Sequence, residues 1–242
     1  MNDIELIKKY VSIDKQKDAI KKLEKGYPVQ YIIGNVEFYG NIINVNEQVL
    51  IPRFETEYLV EKTIKYLKKL NIINPNILEI GTGSGCISIS LKKETNGNID
   101  ALDISADALE VAKENAINNN VSINFIECDI NNFKSNIKYD LIISNPPYVP
   151  YNSEYDEKIK FEPQNAIFAE NNGLYFYKVI LEKIKSNLNN NYLIAFEIGD
   201  KEGQDIINLS KYYLPNSYTK LEYDYNNYER YIFITNKKEI FD

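Results

Sequence analysis

Apolar residues near the start of the chain recur at helical spacing. Ile4, Leu6, Ile7, Val11, Ile20 and Leu23 predict one lysine-rich helix over 4–24, closed by Gly26-Tyr27-Pro28. Residues 29–50 then read as extended. Tyr31-Ile32-Ile33 and Glu37-Phe38-Tyr39 precede Gly40-Asn41, and Ile42-Ile43-Asn44-Val45 completes a predicted hairpin. Leu59, Val60, Thr63, Ile64, Leu67 and Leu70 return to helical spacing and predict an amphipathic helix over 55–70.

From residue 76 the pattern becomes short apolar runs alternating with helix-like stretches. The runs are Ile77–Ile80, Ile99–Leu102, Ile123–Ile126, Leu141–Ile143 and Tyr192–Phe196; the helices fall near 86–94, 105–119 and 174–189. This alternation predicts an α/β fold, a parallel sheet covered by helices on both faces. After a helix near 203–213, the runs 218–225 and 230–235, joined through Asn226-Asn227, predict a hairpin that makes the last two strands the sheet's antiparallel end, giving seven strands in all. The Asn-rich pieces 118–120 and 189–191 are expected at helix ends. No internal repeat is present.

Composition narrows the chemistry. The chain has 242 residues, 44% of them hydrophobic and 26% charged, which suits one large domain or one domain with a short appendage. No run approaches a membrane span, and Met1-Asn2-Asp3-Ile4-Glu5 lacks the features of a secretory leader, so a cytoplasmic protein is expected. Cys86 and Cys128 lack metal or disulfide spacing and are expected as small reduced core residues. The net charge of −7 weighs against a protein built to grip nucleic-acid phosphates. The chain has no histidine, which excludes histidine triads, histidine metal ligands and histidine general bases.

Chemistry-bearing residues cluster where the predicted strands end. Gly81-Thr82-Gly83-Ser84-Gly85 follows the first buried strand and opens a helix. Glycines let a backbone turn sharply and approach a ligand closely. Asp103 ends the second strand, where a carboxylate can accept both hydroxyls of a ribose. Asp129 follows the third, placed to accept from an adenine amine, with Ile130 to pack on the ring. Such positions, at the carboxyl ends of parallel strands, are where open sheets bind ligands. The Gly-x-Gly-x-Gly spacing puts Cys86 where a dinucleotide fingerprint needs its third glycine, and no Walker lysine follows. The loop therefore favours S-adenosylmethionine, which has no pyrophosphate to cradle.

Asn145-Pro146-Pro147-Tyr148 follows the fourth strand at the same edge. Consecutive prolines stiffen the turn and leave carbonyls without competing N–H groups. The Asn145 oxygen and the Pro146 carbonyl can accept both hydrogens of a neutral –NH₂ group, while the Tyr148 ring can stack on a flat π-system. Residues 149–162 show no clear periodicity and are expected as a mobile flap over that site.

These residues resemble the class I, Rossmann-like methyltransferases, which carry a seven-stranded, mostly parallel sheet. Gln30-Tyr31-Ile32-Ile33-Gly34, Glu37-Phe38-Tyr39-Gly40 and Val49–Glu57 narrow the resemblance to the HemK/PrmC glutamine methyltransferases, as do Phe161-Glu162-Pro163 with Ala166, Gly173-Leu174 and Glu197-Ile198-Gly199. The resemblance implies methylation of the glutamine amide in the Gly-Gly-Gln motif of a peptide chain release factor. It also implies that Gly81, Thr82, Gly83, Ser84, Gly85, Asp103, Asp129, Ile130 and Asn145 hold S-adenosylmethionine, that Asn145 to Tyr148 hold the amide, and that Arg53 and Thr56 lie near the methionine end. No metal, no membrane and no nucleic acid are implied, and a monomer is expected. The implied organisation is a short N-terminal helical segment over 1–28, a reduced form of the family's substrate-recognition domain, then a hairpin connector over 29–50 and a catalytic domain over 51–242. Phe54 stands where the family has a second proline, and the glutamine usual after Glu197-Ile198-Gly199 is absent from its place. A ribosomal-protein glutamine methyltransferase, a nucleic-acid adenine methyltransferase and a non-catalytic module that binds S-adenosylmethionine remain as rival readings.

Overall fold

The structure, a computed structural model, describes residues 2–153, 155 and 157–242. The first apolar stripe folds as two helices rather than one. Helix α1 (Asp3–Tyr10) opens on a reciprocal cap in which the Asn2 side chain accepts from the Glu5 N–H and Glu5 accepts from the Asn2 N–H. It stops at Val11, whose backbone is extended, and α2 (Ile13–Glu24) begins after Ser12. The Gln16 amide donates to the freed carbonyls of Lys8 and Val11. Folding back lets Leu6 and Ile7 of the first helix meet Ala19, Ile20 and Leu23 of the second; a continuous rod would leave both stripes facing water.

A second departure follows. Residues expected as extended form α3 (Val29–Ile33), with Pro28 before it and Gly34 after it at φ +89. The β-branched run suggests a strand, but a proline before a helix and a left-handed glycine behind it are strong end signals. Burial of Val29 and Ile33 against the first two helices decides the matter. The hairpin lies where expected, as β1 (Asn35–Phe38) and β2 (Asn41–Asn44).

The rest alternates as anticipated. Helix α4 (Phe54–Lys69) precedes β3 (Asn76–Ile80), α5 (Cys86–Thr95), β4 (Asn98–Asp103), α6 (Ala106–Asn118), β5 (Asn124–Glu127) and β6 (Tyr139–Ser144). A two-residue parallel pair, β7 (Val149–Pro150) with β8 (Phe168–Ala169), brackets the next loop. Helix α7 (Tyr175–Ile184), β9 (Leu188–Glu197), α8 (Gly203–Tyr213), β10 (Tyr218–Tyr223) and β11 (Glu229–Thr235) complete the chain. Helix α7 is shorter than expected, and Asn189 to Asn191 belong to β9 rather than to a helix end. Register with β6 extends that strand: Leu188 pairs with Tyr139, and the Asn189 amide donates to Asp140.

The seven-stranded sheet has the order β10-β11-β9-β6-β3-β4-β5. Only β11 is reversed, inserted between β10 and β9, so the final hairpin supplies the antiparallel edge. Side chains alternate between two cores. Ile77, Leu141, Ile143 and Phe233 face one with α4, α5 and α6, and Leu78, Ile142, Ile194 and Ile232 face the other with α7 and α8. Each such fully buried aliphatic side chain contributes about 1.5–3 kcal/mol. The chain builds β3, β4 and β5 in one direction and then returns to lay β6 on the other side of β3. Strand order therefore reverses between β3 and β6, and a crevice opens outside their carboxyl ends.

Candidate active site

A cavity of about 250 Å³ occupies that crevice. Gly81 and Gly83 form one part of its wall, Asp103 another, and Asp129 with Ile130 a third, while Asn145, Pro146 and Pro147 line it from the end of β6. Four successive parallel strands thus deliver Gly81, Gly83, Asp103, Asp129, Ile130 and Asn145 to one space.

The glycine loop is held from below. Gly81 and Thr82 donate their N–H groups to the Leu102 carbonyl. Gly81, Gly83 and Gly85 have φ of +74, +53 and +80, which side chains other than glycine rarely tolerate. Gly85 also backs onto α6, where an added Cβ would stand 3.2 Å from Ala112 Cβ. Thr82, Ser84 and Gly85 do not line the cavity. The Thr82 hydroxyl turns inward to Glu79 Oε2 at 2.8 Å, and the Ser84 carbonyl accepts from Asn115 at 3.0 Å. Asn115, fully buried, also exchanges hydrogen bonds with the Asn44 backbone and so ties the hairpin to the loop.

Asp103 braces the same loop. Its Oδ2 accepts from Gly83 N–H at 2.8 Å and its Oδ1 from Ser105 N–H at 3.0 Å. Burial pushes its carboxyl up, and the backbone donors partly offset this. Asp129 takes the Asn131 N–H and side-chain amide on Oδ1, both at 2.9 Å, which closes a short 3-10 turn at Ile130–Asn132 and aims Ile130 at the cavity.

At the other end, the Asn145 Nδ2 donates to Thr56 Oγ1 at 3.2 Å, and Thr56 donates to Glu197 Oε2 at 2.7 Å. Tyr148 does not line the cavity. Its hydroxyl turns to Glu197 Oε1 at 3.3 Å, and burial raises it above the ordinary tyrosine range. Glu197, at the end of β9 and almost wholly buried, is pushed up to about 7 by burial. Glu79, buried beneath the glycine loop, is likewise pushed up to about 7 by burial, and its Oε1 has no hydrogen-bond partner among the described residues.

Arg53 and Thr56 lie behind the cavity wall rather than on it. Arg53 pairs with Glu162 at 2.6 Å, and Glu162 also accepts from Ile51 N–H at 3.1 Å. This pair clamps the connector after the hairpin to the loop after Asn-Pro-Pro-Tyr. The two clamped segments bring Gln48, Val49 and Leu50 opposite Pro163, Asn165 and Ala166 as further walls. None of those six was read as a site residue. The Val49–Glu57 and Glu162-Pro163 motifs were the available signal, but their meeting is a tertiary fact. The loop expected as a flap is paired at Val149–Phe168 and anchored at Glu162; Glu154 and Asp156 within it lie outside the described residues. Cys86 is buried as expected, and Cys128, half-buried, packs against the second core and also lines the cavity.

This arrangement can hold a nucleoside along β4 and β5 and a small planar polar group at Asn145. Residues 56–162 match the methyltransferase small domain family. A release factor glutamine methyltransferase of Flavobacterium psychrophilum is 44% identical over 211 residues, covering 84% of this chain and 74% of that one. One from Lactococcus lactis is 42% identical over 193 residues, covering 78% and 70%. In fold, the chain is similar to the crystal structure of the release factor-specific protein-(glutamine-N5) methyltransferase of Alicyclobacillus acidocaldarius, with a TM-score of 0.50 and 24% identity over 80% of this chain and 99% of that one. With relatives this similar over most of their length, the chain belongs to the release factor glutamine methyltransferase family.

Proposed function

We propose that this protein transfers a methyl group from S-adenosylmethionine to the side-chain amide nitrogen of a glutamine in a peptide chain release factor, the glutamine of its Gly-Gly-Gln motif. The observation that carries this reading is the meeting of Gly81, Asp103, Asp129 and Asn145 on one cavity in a chain of this family.

The residues present fit the cofactor. Asp103 accepts from the Gly83 and Ser105 N–H groups on different oxygens, with the Ile104 N–H also acting on it, and offers its remaining acceptor capacity to the ribose hydroxyls. Ile104, Ala108 and Ile130 offer apolar walls for the adenine. Gly81 and Gly83 present open space where a Cβ would stand. Bound there, S-adenosylmethionine supplies a methyl group on a positively charged sulfonium, so the attacking nitrogen needs no strong base. That suits a chain without histidine.

What the protein adds is aim. Asn145 Oδ1 and the Pro146 carbonyl accept the two amide hydrogens and turn the nitrogen toward the methyl group. Orientation of this kind is worth on the order of 7–11 kcal/mol in well-aligned reactions. Tyr148 is anchored at the end of the turn through its hydroxyl to Glu197. The short helices α1 to α3 contribute to docking of the release factor. The reading includes a monomer acting in the cytoplasm on a protein substrate, not on nucleic acid. The net charge of −7 supports the last point, and among the described residues no helix is long and apolar enough to cross a membrane.

The test is to incubate the protein with methyl-labelled S-adenosylmethionine and purified release factor, then map the label by mass spectrometry. One methyl group on the Gly-Gly-Gln glutamine is expected. Label only at other residues of the release factor, or no transfer at all, overturns the reading.

A further inference from the structure

Glu197 stands beside Asn145 because of strand register. Strands β6 and β9 run parallel with Ser144 opposite Phe196, so the next residue of each, Asn145 and Glu197, lies at the same level. Helix α4 places Thr56 between them. The chemistry of this trio gives its hydrogen bonds a direction. An ionised carboxylate only accepts, so at 2.7 Å the Thr56 hydroxyl must spend its one proton on Glu197. Thr56 Oγ1 then has only lone pairs left for Asn145, which must offer its –NH₂ side. Oδ1 is the remaining branch of an amide that lines the cavity, whereas Thr56 does not line it.

We propose that Glu197 and Thr56 are positioning residues that fix the Asn145 amide with Oδ1 toward the substrate, and that the same carboxylate anchors Tyr148 at the far end of the turn. This rests on the methyltransferase reading above, since Oδ1 matters as an acceptor for the substrate amide. Without the relay the Asn145 amide can flip and present a donor to a group that needs an acceptor.

The relay depends on the charge of Glu197. Several elements pack around that carboxyl. Thr56 and Glu55 face it from α4, Tyr148 from the turn after β6, Arg230 and Tyr231 from β11, and Cys86 from α5; the Tyr177 hydroxyl of α7 donates to its backbone carbonyl. Burial nevertheless pushes Glu197 up to about 7, with Thr56 and Arg230 opposing. Once protonated, Glu197 can donate to Thr56, and the direction of the chain is no longer enforced.

The experiment compares wild type with Thr56→Val, Thr56→Ser and Glu197→Gln in single-turnover methyl transfer to release factor at saturating cofactor. The Asn145 side-chain amide is followed in parallel by ¹⁵N NMR, its resonances identified by their absence in Asn145→Ala. Thr56→Val, which keeps the shape and removes the hydroxyl, should slow transfer on the order of 10- to 100-fold, the effect of losing one hydrogen bond that leads to a charge. Its affinity for S-adenosylmethionine should stay within about twofold, because no contact to the cofactor is assigned to Thr56. Thr56→Ser should recover most of the rate. The wild-type rate and the Asn145 amide shifts should both change as pH falls through about 7, and both responses should be lost in Glu197→Gln. Equal rates in wild type and Thr56→Val, an equal loss in Val and Ser, or amide shifts indifferent to pH would overturn the relay. If wild type fails to methylate release factor while the Asn145 shifts still follow Glu197, the substrate reading falls and the relay stands.

Discussion

Asp103 offers a test whose size can be worked from its contacts. A carboxylate has about four lone-pair sites; the N–H groups of Gly83 and Ser105 take one on each oxygen, and the Ile104 N–H also acts on the group. The acceptor capacity that remains faces the cavity, where a ribose hydroxyl can use it. In Asp103→Asn one oxygen becomes an –NH₂ that cannot accept, so one backbone N–H and one ribose hydroxyl both lose a partner. A hydrogen bond to a charged group contributes about 1.5–3 kcal/mol, so the dissociation constant for S-adenosylmethionine should rise roughly 10- to 150-fold. Asp103→Ala removes both acceptors and the brace under Gly83, and should weaken binding further. Isothermal titration gives the affinities, and a thermal melt of each unliganded variant confirms that it is folded. Burial raises the Asp103 carboxyl, so wild-type binding should also weaken as pH falls into the acid range, and the Asn variant should lose that dependence. If both variants bind within about twofold of wild type, Asp103 serves only to brace the loop and the ribose assignment is wrong.

Asn145→Ala should leave most cofactor affinity intact and slow single-turnover transfer about 100- to 1000-fold, as loss of one preorganised polar contact does. Asn145→Asp keeps an acceptor but loses the donor to Thr56, and should fall between; wild-type turnover in the Ala variant would remove Asn145 from the mechanism. Gly173→Ala should cost roughly 2–4 kcal/mol, since its φ is +90 and a Cβ there would run into the Tyr148 carbonyl and the Glu202 carboxylate; an unchanged denaturant midpoint would contradict this. The folded-state value of Glu79, about 7, lies above its ordinary 4.5, so its contribution to stability is full below about pH 4.5 and is lost as pH rises through about 7. One such proton gives a slope of up to about 1.4 kcal/mol per pH unit. Chemical denaturation between pH 5 and 7.5 should show a flatter profile in Glu79→Gln, and an identical profile would refute the assignment.

Local periodicity and local chemistry in the chain account for the strands and for the residues at their ends. Ile77-Leu78 and Leu141-Ile142-Ile143 show why. In a strand covered on both faces every position is apolar, and the two faces of one run supply two different cores. Gly81, Gly83, Asp103, Asp129 and Asn145 could be placed along one edge from the sequence because each follows a strand end, where chain order and spatial order agree. The structure decided what depends on partners far away in the chain. Val11 interrupts a helical stripe because α1 and α2 bury each other, and Val29–Ile33 becomes a helix because its apolar face meets theirs; neither partner is visible in the local pattern. Glu162 is one acid among many until Arg53 and Ile51, more than a hundred residues earlier, arrive at its oxygens. Glu197 gains its place opposite Asn145 from the β6–β9 register, and its neutral-range titration from burial beneath α4. Register and burial are properties of the packed sheet, because both are set by which strands and helices come to lie side by side.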